Sequence, residues 1–184
     1  MTQVQDRSYQ PYPPLFAKEY SEKMQELLQL YPWEIQLTQL NLLASHDTAR
    51  LLTIAGGDKA SVELSTLLLL TFPGAPSIYY GDEVGLPGAI DPDSRRSFPL
   101  EAHWELDVLN YHKKLISLRH AYPALRTGSY EILFAEGTVY VFARFLGAEE
   151  IIVAVNVGTA NANANFEVTA LKSQPRKLLY GSAE

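Results

Sequence analysis

The chain has 184 residues, 47% of them hydrophobic and 20% charged, with a formal net charge of −6. That balance belongs to a soluble globular protein of one or two domains; it excludes the basic face that non-specific nucleic-acid binding needs and gives no attraction to an anionic membrane surface. There is no cysteine, so thiolate metal sites, disulfides and cysteine nucleophiles are excluded.

Met1 to Phe16 is proline-rich, lacks periodicity and reads as a loop or frayed terminus. Its first residues show no apolar signal-peptide core, and the longest apolar run, Leu67 to Phe72, is too short to span a bilayer. These features, with the absence of cysteine, predict a cytoplasmic protein. From Glu19 the pattern is helical, with Tyr20, Met24, Leu27, Leu28 and Tyr31 on one face and Pro32 as terminator. Ile35 to Ala44 reads as a strand buried on both faces, because its second half is apolar without alternation.

Gly56-Gly57-Asp58 predicts a turn with Asp58 as N-cap, and Lys59 to Phe72 an apolar helix ended by Pro73-Gly74-Ala75-Pro76. Ser77 to Tyr80 reads as a second apolar strand, ended by Gly81-Asp82-Glu83. A long loop runs from Val84 to His103, and loops of that length in compact domains tend to be functional. Glu105 to Tyr122 is a helix with an apolar stripe through Val108, Tyr111, Leu115 and Leu118. Strands separated by helices imply parallel β/α units.

The period changes between residues 123 and 128. Tyr130 to Phe134, Thr138 to Phe145 and Ile151 to Val157 alternate as strands joined by glycine-containing turns, and Arg176 to Tyr180 predicts a last strand. The expected organisation is α/β over 1–125, then a small antiparallel β domain over 126–184.

Both apolar strands finish in acidic residues: Asp47 after one, Asp82 and Glu83 after the other. In β/α barrels the active site lies at the C-terminal ends of the strands, so both clusters would face one mouth. There Asp47 can stabilise positive charge, His46 can donate a hydrogen bond to a hydroxyl, and Arg50 can hold the aspartate ionised. Blander roles compete. Asp47 can equally serve as an N-cap or Asx-turn residue, the commoner role for an aspartate after a strand. Asp82 and Glu83 read as a solvated strand end. His112 and His120 read as helix-surface residues, and His103 shows no metal-ligand spacing. Ser45, His46 and Asp47 are adjacent, point in different directions, and so cannot form a nucleophilic relay among themselves.

The stretch Asn41-Leu42-Leu43-Ala44-Ser45-His46-Asp47-Thr48-Ala49-Arg50 resembles a signature region of the α-amylase family of glycoside hydrolases. Pro76-Ser77-Ile78-Tyr79-Tyr80-Gly81-Asp82-Glu83-Val84-Gly85 resembles the family's eighth barrel strand and its turn. Asp91-Pro92-Asp93-Ser94-Arg95-Arg96 resembles the following loop of the cyclomaltodextrinase, neopullulanase and maltogenic amylase subgroup. The three occur in the family's order, and the resemblance runs from Tyr20 to the end of the chain.

The resemblance implies the last part of a (β/α)8 barrel followed by a small antiparallel β-sandwich domain. It implies retaining cleavage of α-1,4 and sometimes α-1,6 glucosidic bonds of maltodextrins, cyclodextrins or starch. Asp47 matches the catalytic aspartate that stabilises the transition state, His46 a hydroxyl-binding histidine, and Asp91 and Arg95 donor-side sugar contacts. The partner is an α-glucan oligosaccharide, and no cofactor is implied. Calcium is possible in the parent enzyme; Asp91 and Asp93 are oxygen ligands of the right type but read first as sugar contacts or solvated loop residues.

A full barrel takes about 250 residues, and the family's nucleophile and acid/base lie on earlier strands. The chain is therefore expected to be a C-terminal fragment, inactive alone, that hides its open barrel edges as a homo-oligomer through dimerisation or strand exchange, or whose barrel part is loosely ordered. The alternatives are a sugar-binding module without chemistry and a purely structural piece.

Overall fold

In the computed structural model, residues 14–167 and 177–181 are described. Helix α1 spans Ala17–Gln29 and is followed by a short helical turn, α2, at Trp33–Gln36. Pro32 opens that turn: its carbonyl accepts from the N–H groups of Ile35 and Gln36, and Gln36 Nε2 reaches back to the Leu27 carbonyl at 2.7 Å. Residues 35–39, expected as strand, are therefore partly helical and partly turn, and strand β1 is only Leu40–Leu42. Proline supplies helix-compatible φ at such a start, and local hydrogen bonds outweigh the apolar pattern.

After β1 come the short α3 (Leu51–Ile54) and the long α4 (Lys59–Thr71). Asp58 caps α4 as expected, accepting from the backbone N–H groups of Ala60 and Ser61. Strand β2 is Ala75–Ser77, starting and ending earlier than the predicted Ser77 to Tyr80. It lies parallel to β1, pairing Leu40 with Ala75 and Leu42 with Ser77. Gly74, at φ +110°, lets the chain enter the pair: a Cβ there would lie 2.6 Å from Asn41 Nδ2. The loop after β2 holds three 3-10 turns and leads to α5 (Leu106–Ala121) and α6 (Ala124–Thr127).

Neither β1 nor β2 has a second strand beside it among the described residues. Leu40 is therefore 65% exposed and Leu42 48%, where the sequence pattern predicts burial on both faces. The apolar run is right for a barrel interior, and a two-stranded pair cannot cover it.

Strands β3 (Ser129–Glu136), β4 (Val139–Leu146) and β5 (Glu149–Asn156) form an antiparallel sheet in the order β3-β4-β5. β4 is central and buried from Val139 to Arg144. Its Tyr140 and Phe142 pack with Val153 and Val155 against Ala17 and Tyr20 of α1 and Leu64, Leu67 and Leu68 of α4. The sheet thus shares its main core with helices that precede it in the chain. Residues 177–181 contain no strand, against the expectation of one over Arg176 to Tyr180; Arg176 lies outside the described residues, as does most of Met1 to Phe16. No described helix is long and apolar enough to cross a membrane.

Candidate functional site at the strand ends

Two residues beyond β1, the chain turns sharply through Ser45 to Thr48. Ser45 N–H donates to Thr48 Oγ1 at 2.9 Å, and Asp47 N–H donates to Ser45 Oγ at 3.1 Å. The hydroxyls of Ser45 and Thr48 therefore close this turn. The Asp47 carboxylate stands outside those bonds and is 74% exposed. Its contacts are His46 Nε2 at 3.2 Å and Arg95 Nη2 at 4.0 Å. His46 and Asp47, expected as adjacent residues to point in different directions, are brought together because they sit in a turn. Ser45 Oγ accepts from the Asp47 amide.

Arg95 connects this turn to the loop after β2. Its Nε donates to Asp91 Oδ1 at 2.6 Å, which holds the guanidinium pKa above its usual value. Arg96 binds the neighbouring Asp93 through Nε and Nη2 at 2.7 and 2.8 Å, and that pairing keeps Asp93 below the usual carboxylate range. Asp91 and Asp93 thus turn to different arginines instead of converging. Among the described residues no group of three or more His, Asp and Glu side chains is arranged to hold a metal ion. Ser94, fully buried, donates from Oγ to the His46 carbonyl at 3.1 Å. Asp47, His46, Asp91 and Arg95, separated by up to 49 positions, thus share one exposed patch at the C-terminal end of the parallel pair.

Arg50 does not face Asp47. Its side chain is fully buried, and its Nη1 lies 3.5 Å from Asp82 Oδ1, an ion pair too long to be a good hydrogen bond. Nη1 also donates to the Tyr80 carbonyl. The guanidinium carbon lies 4.1 Å from the Tyr79 ring centroid and 4.4 Å from that of Tyr80. Asp82 is buried too, against the expectation of a solvated strand end; burial pushes its carboxyl up to about 6, with Arg50 pulling the other way. Glu83 folds back to accept the Gly81 N–H at 2.7 Å. His112, expected on a helix surface, is buried, with Nδ1 2.8 Å from the Val108 carbonyl and burial pushing its pKa down.

The sequence reading missed the Arg50–Asp82–Tyr79–Tyr80 cluster. Its one available signal was a cation after one strand and an acid after its parallel neighbour, which pair when both strands end at the same level.

Comparison with known proteins fits this geometry. The family profile described as "Alpha amylase, catalytic domain" matches residues 2–102, and that described as "Alpha-amylase C-terminal domain" matches 128–184. A cyclomaltodextrinase of Geobacillus thermopakistaniensis is 41% identical over 157 residues, covering 84% of this chain and 27% of that protein. Neopullulanase 2 of Thermoactinomyces vulgaris is 35% identical over 145 residues, 77% of this chain and 25% of that one. Among solved structures, the native form of a debranching enzyme from Nostoc punctiforme superposes with a TM-score of 0.92 at 73% identity, over 99% of this chain and 37% of that one. A cyclic α-maltosyl-(1→6)-maltose hydrolase from Arthrobacter globiformis gives 0.76 at 34% identity, over 78% of this chain and 33% of that one. The chain spans about a quarter of the length of these curated relatives and about a third of these solved structures. It belongs to the α-amylase family of glycoside hydrolases.

Proposed function

We propose that this chain carries one side of an α-glucan hydrolase site. In this reading residues 1–125 form the C-terminal portion of the catalytic barrel and 126–184 the C-terminal β domain. Asp47 stabilises the positive charge that develops on the sugar ring during retaining cleavage. His46 donates to a hydroxyl of the sugar at the cleavage point, and Asp91 and Arg95 contact the sugar on the donor side. The substrates are maltodextrins, cyclodextrins or starch, cleaved at α-1,4 and in some cases α-1,6 bonds.

The observation that carries the reading is the exposed patch in which Asp47 meets His46 and Arg95 while Arg95 holds Asp91. The carboxylate is committed to no cap, so it is free to face a substrate. Retaining hydrolysis needs two further carboxyl groups about 5–5.5 Å apart across the scissile bond. Asp82 is paired with buried Arg50 and Glu83 with a backbone amide, so neither serves that purpose. The 184 residues alone therefore bind an α-glucan without hydrolysing it.

Incubation with maltohexaose, followed by both calorimetric titration and reducing-end release, tests this. Binding without release is expected, lost on Asp91→Ala or Arg95→Ala. Reducing ends released by the purified chain would overturn the claim of inactivity, and no binding would favour a structural role.

A further inference from the structure

We propose that Arg50 is a positioning residue for Asp47: a latch packed against the Tyr79–Tyr80 ring pair that fixes the turn after β1 onto the loop after β2. The sugar-binding consequence rests on the function proposed above; the latch itself does not.

The contacts of Asp47 are too exposed to place it. The Asp47 carboxylate is 74% exposed, Arg95 is 49% exposed, and their separation is 4.0 Å. Ion pairs of that kind are screened and hold geometry weakly. Three residues further on, Arg50 is in the opposite situation. Its side chain is fully buried against the adjoining rings of Tyr79 and Tyr80, with Asp82 and the Tyr80 carbonyl at its tip. Its backbone N–H donates to the Gly88 carbonyl at 2.9 Å, and Gly88 N–H donates to Thr53 Oγ1 at 2.9 Å. Gly88 has no room for a side chain: a Cβ would lie 3.1 Å from Arg50 Cγ and 2.7 Å from the Asp93 carbonyl oxygen. Asp93 is in turn two residues from Arg95. The two loops are thus tied by Arg50 on the buried side, and Asp47 and Arg95 meet on the exposed side as a result.

The way Arg50 is held points to its shape as well as its charge. Nε and Nη2 have no hydrogen-bond partner among the described residues. The guanidinium carbon lies against both rings, a contact that a lysine ammonium cannot match in area.

Hydrogen exchange of the full chain, followed by mass spectrometry, tests the latch without sugar. In Arg50→Lys, amides of residues 45–50 and 86–95 should exchange roughly 10-fold faster, with α4 unchanged. Tyr80→Leu keeps the cation but removes one ring together with the hydroxyl that donates to the Arg96 carbonyl; it should give the same pattern where Tyr80→Phe, which loses only that hydroxyl, does not, and so guards against a folding defect in the first variant. Unchanged exchange in both loops would overturn the proposal, as would equal loosening of α4, which would make Arg50 a general stability residue. In parallel, maltohexaose titration should show affinity reduced about 10-fold in Arg50→Lys and Tyr80→Leu, 1.4 kcal/mol. If the unaltered chain does not bind maltohexaose, the sugar reading fails, and the exchange pattern alone decides the latch.

Discussion

At the junction between α5 and the antiparallel sheet, two buried guanidiniums donate their hydrogen bonds to backbone carbonyls. Arg119 donates to the carbonyls of Leu70, Gly74 and Leu125, and Arg144 to those of Thr71, Leu125 and Gly128. Burial and the neighbouring Arg119 charge bring Arg144 down to about 10. At the strand ends, Arg50 is just as buried, yet two of its nitrogens and Asp82 Oδ1 lack hydrogen-bond partners among the described residues. Each guanidinium at the junction thus makes several hydrogen bonds to carbonyls, whereas the site end is held by one carbonyl, aromatic contact and a long ion pair. Buried polar groups left short of partners cost stability and cluster at functional sites. The contrast separates a region built to hold the fold from one built to present side chains.

The contrast is broken most directly at the junction. Arg144→Met would leave the Thr71 and Gly128 carbonyls buried without that donor, and should lower stability by about 3 kcal/mol or more in urea unfolding. A loss below about 1 kcal/mol would mean the junction is not the anchor.

The next effect belongs to Asp82. Its carboxyl titrates near 6 in the folded chain because of burial, well above its ordinary value of 3.8. The folded state therefore binds the proton more tightly than the unfolded state. That stabilisation is complete below pH 4 and is lost as pH rises through about 6. Unfolding free energy should fall by roughly 2–3 kcal/mol across this window relative to Asp82→Asn, in which the change is absent. Parallel pH profiles for the two proteins would remove Asp82 as the titrating group.

A smaller effect concerns the open faces of β1. With Leu40 and Leu42 exposed, the chain should self-associate in sedimentation velocity, and Leu40→Ser with Leu42→Ser should return it to monomer. A monomer at every concentration would show that the pair is stable uncovered. The smallest change in stability is expected for Arg95→Ala. Its ion pairs with Asp91 and Asp47 are exposed, so its loss should register in sugar affinity while the unfolding midpoint stays nearly unchanged.

Much of the fold was legible in the sequence because local signals and tertiary packing agree there. Asp58 before an apolar run marks the start of α4, and alternation with glycine turns marks β3 to β5. The nearness of Asp47, Asp91 and Arg95 followed from motif order and the family resemblance, not from spacing. Residues 35–39 misled because apolar side chains do not reveal that Pro32 and Gln36 tie the backbone into a turn. Arg50, Asp82 and His112 were misjudged for one reason: their burial depends on β1, β2, α4 and α5 converging, which no local window contains. The tie between the sheet and α1 is likewise long-range, since Ala17 and Tyr140 lie far apart in the chain.

On the proposed function, the exposed patch around Asp47 binds α-glucan while the chain lacks the means to cleave it. Titrating maltohexaose into the chain and into Asp91→Ala, with reducing ends assayed in the same samples, tests it most directly. Weak binding to the unaltered chain is expected, with loss of that binding in Asp91→Ala and no new reducing ends in either. Equal binding by both proteins, or reducing ends accumulating with the unaltered chain, would contradict it.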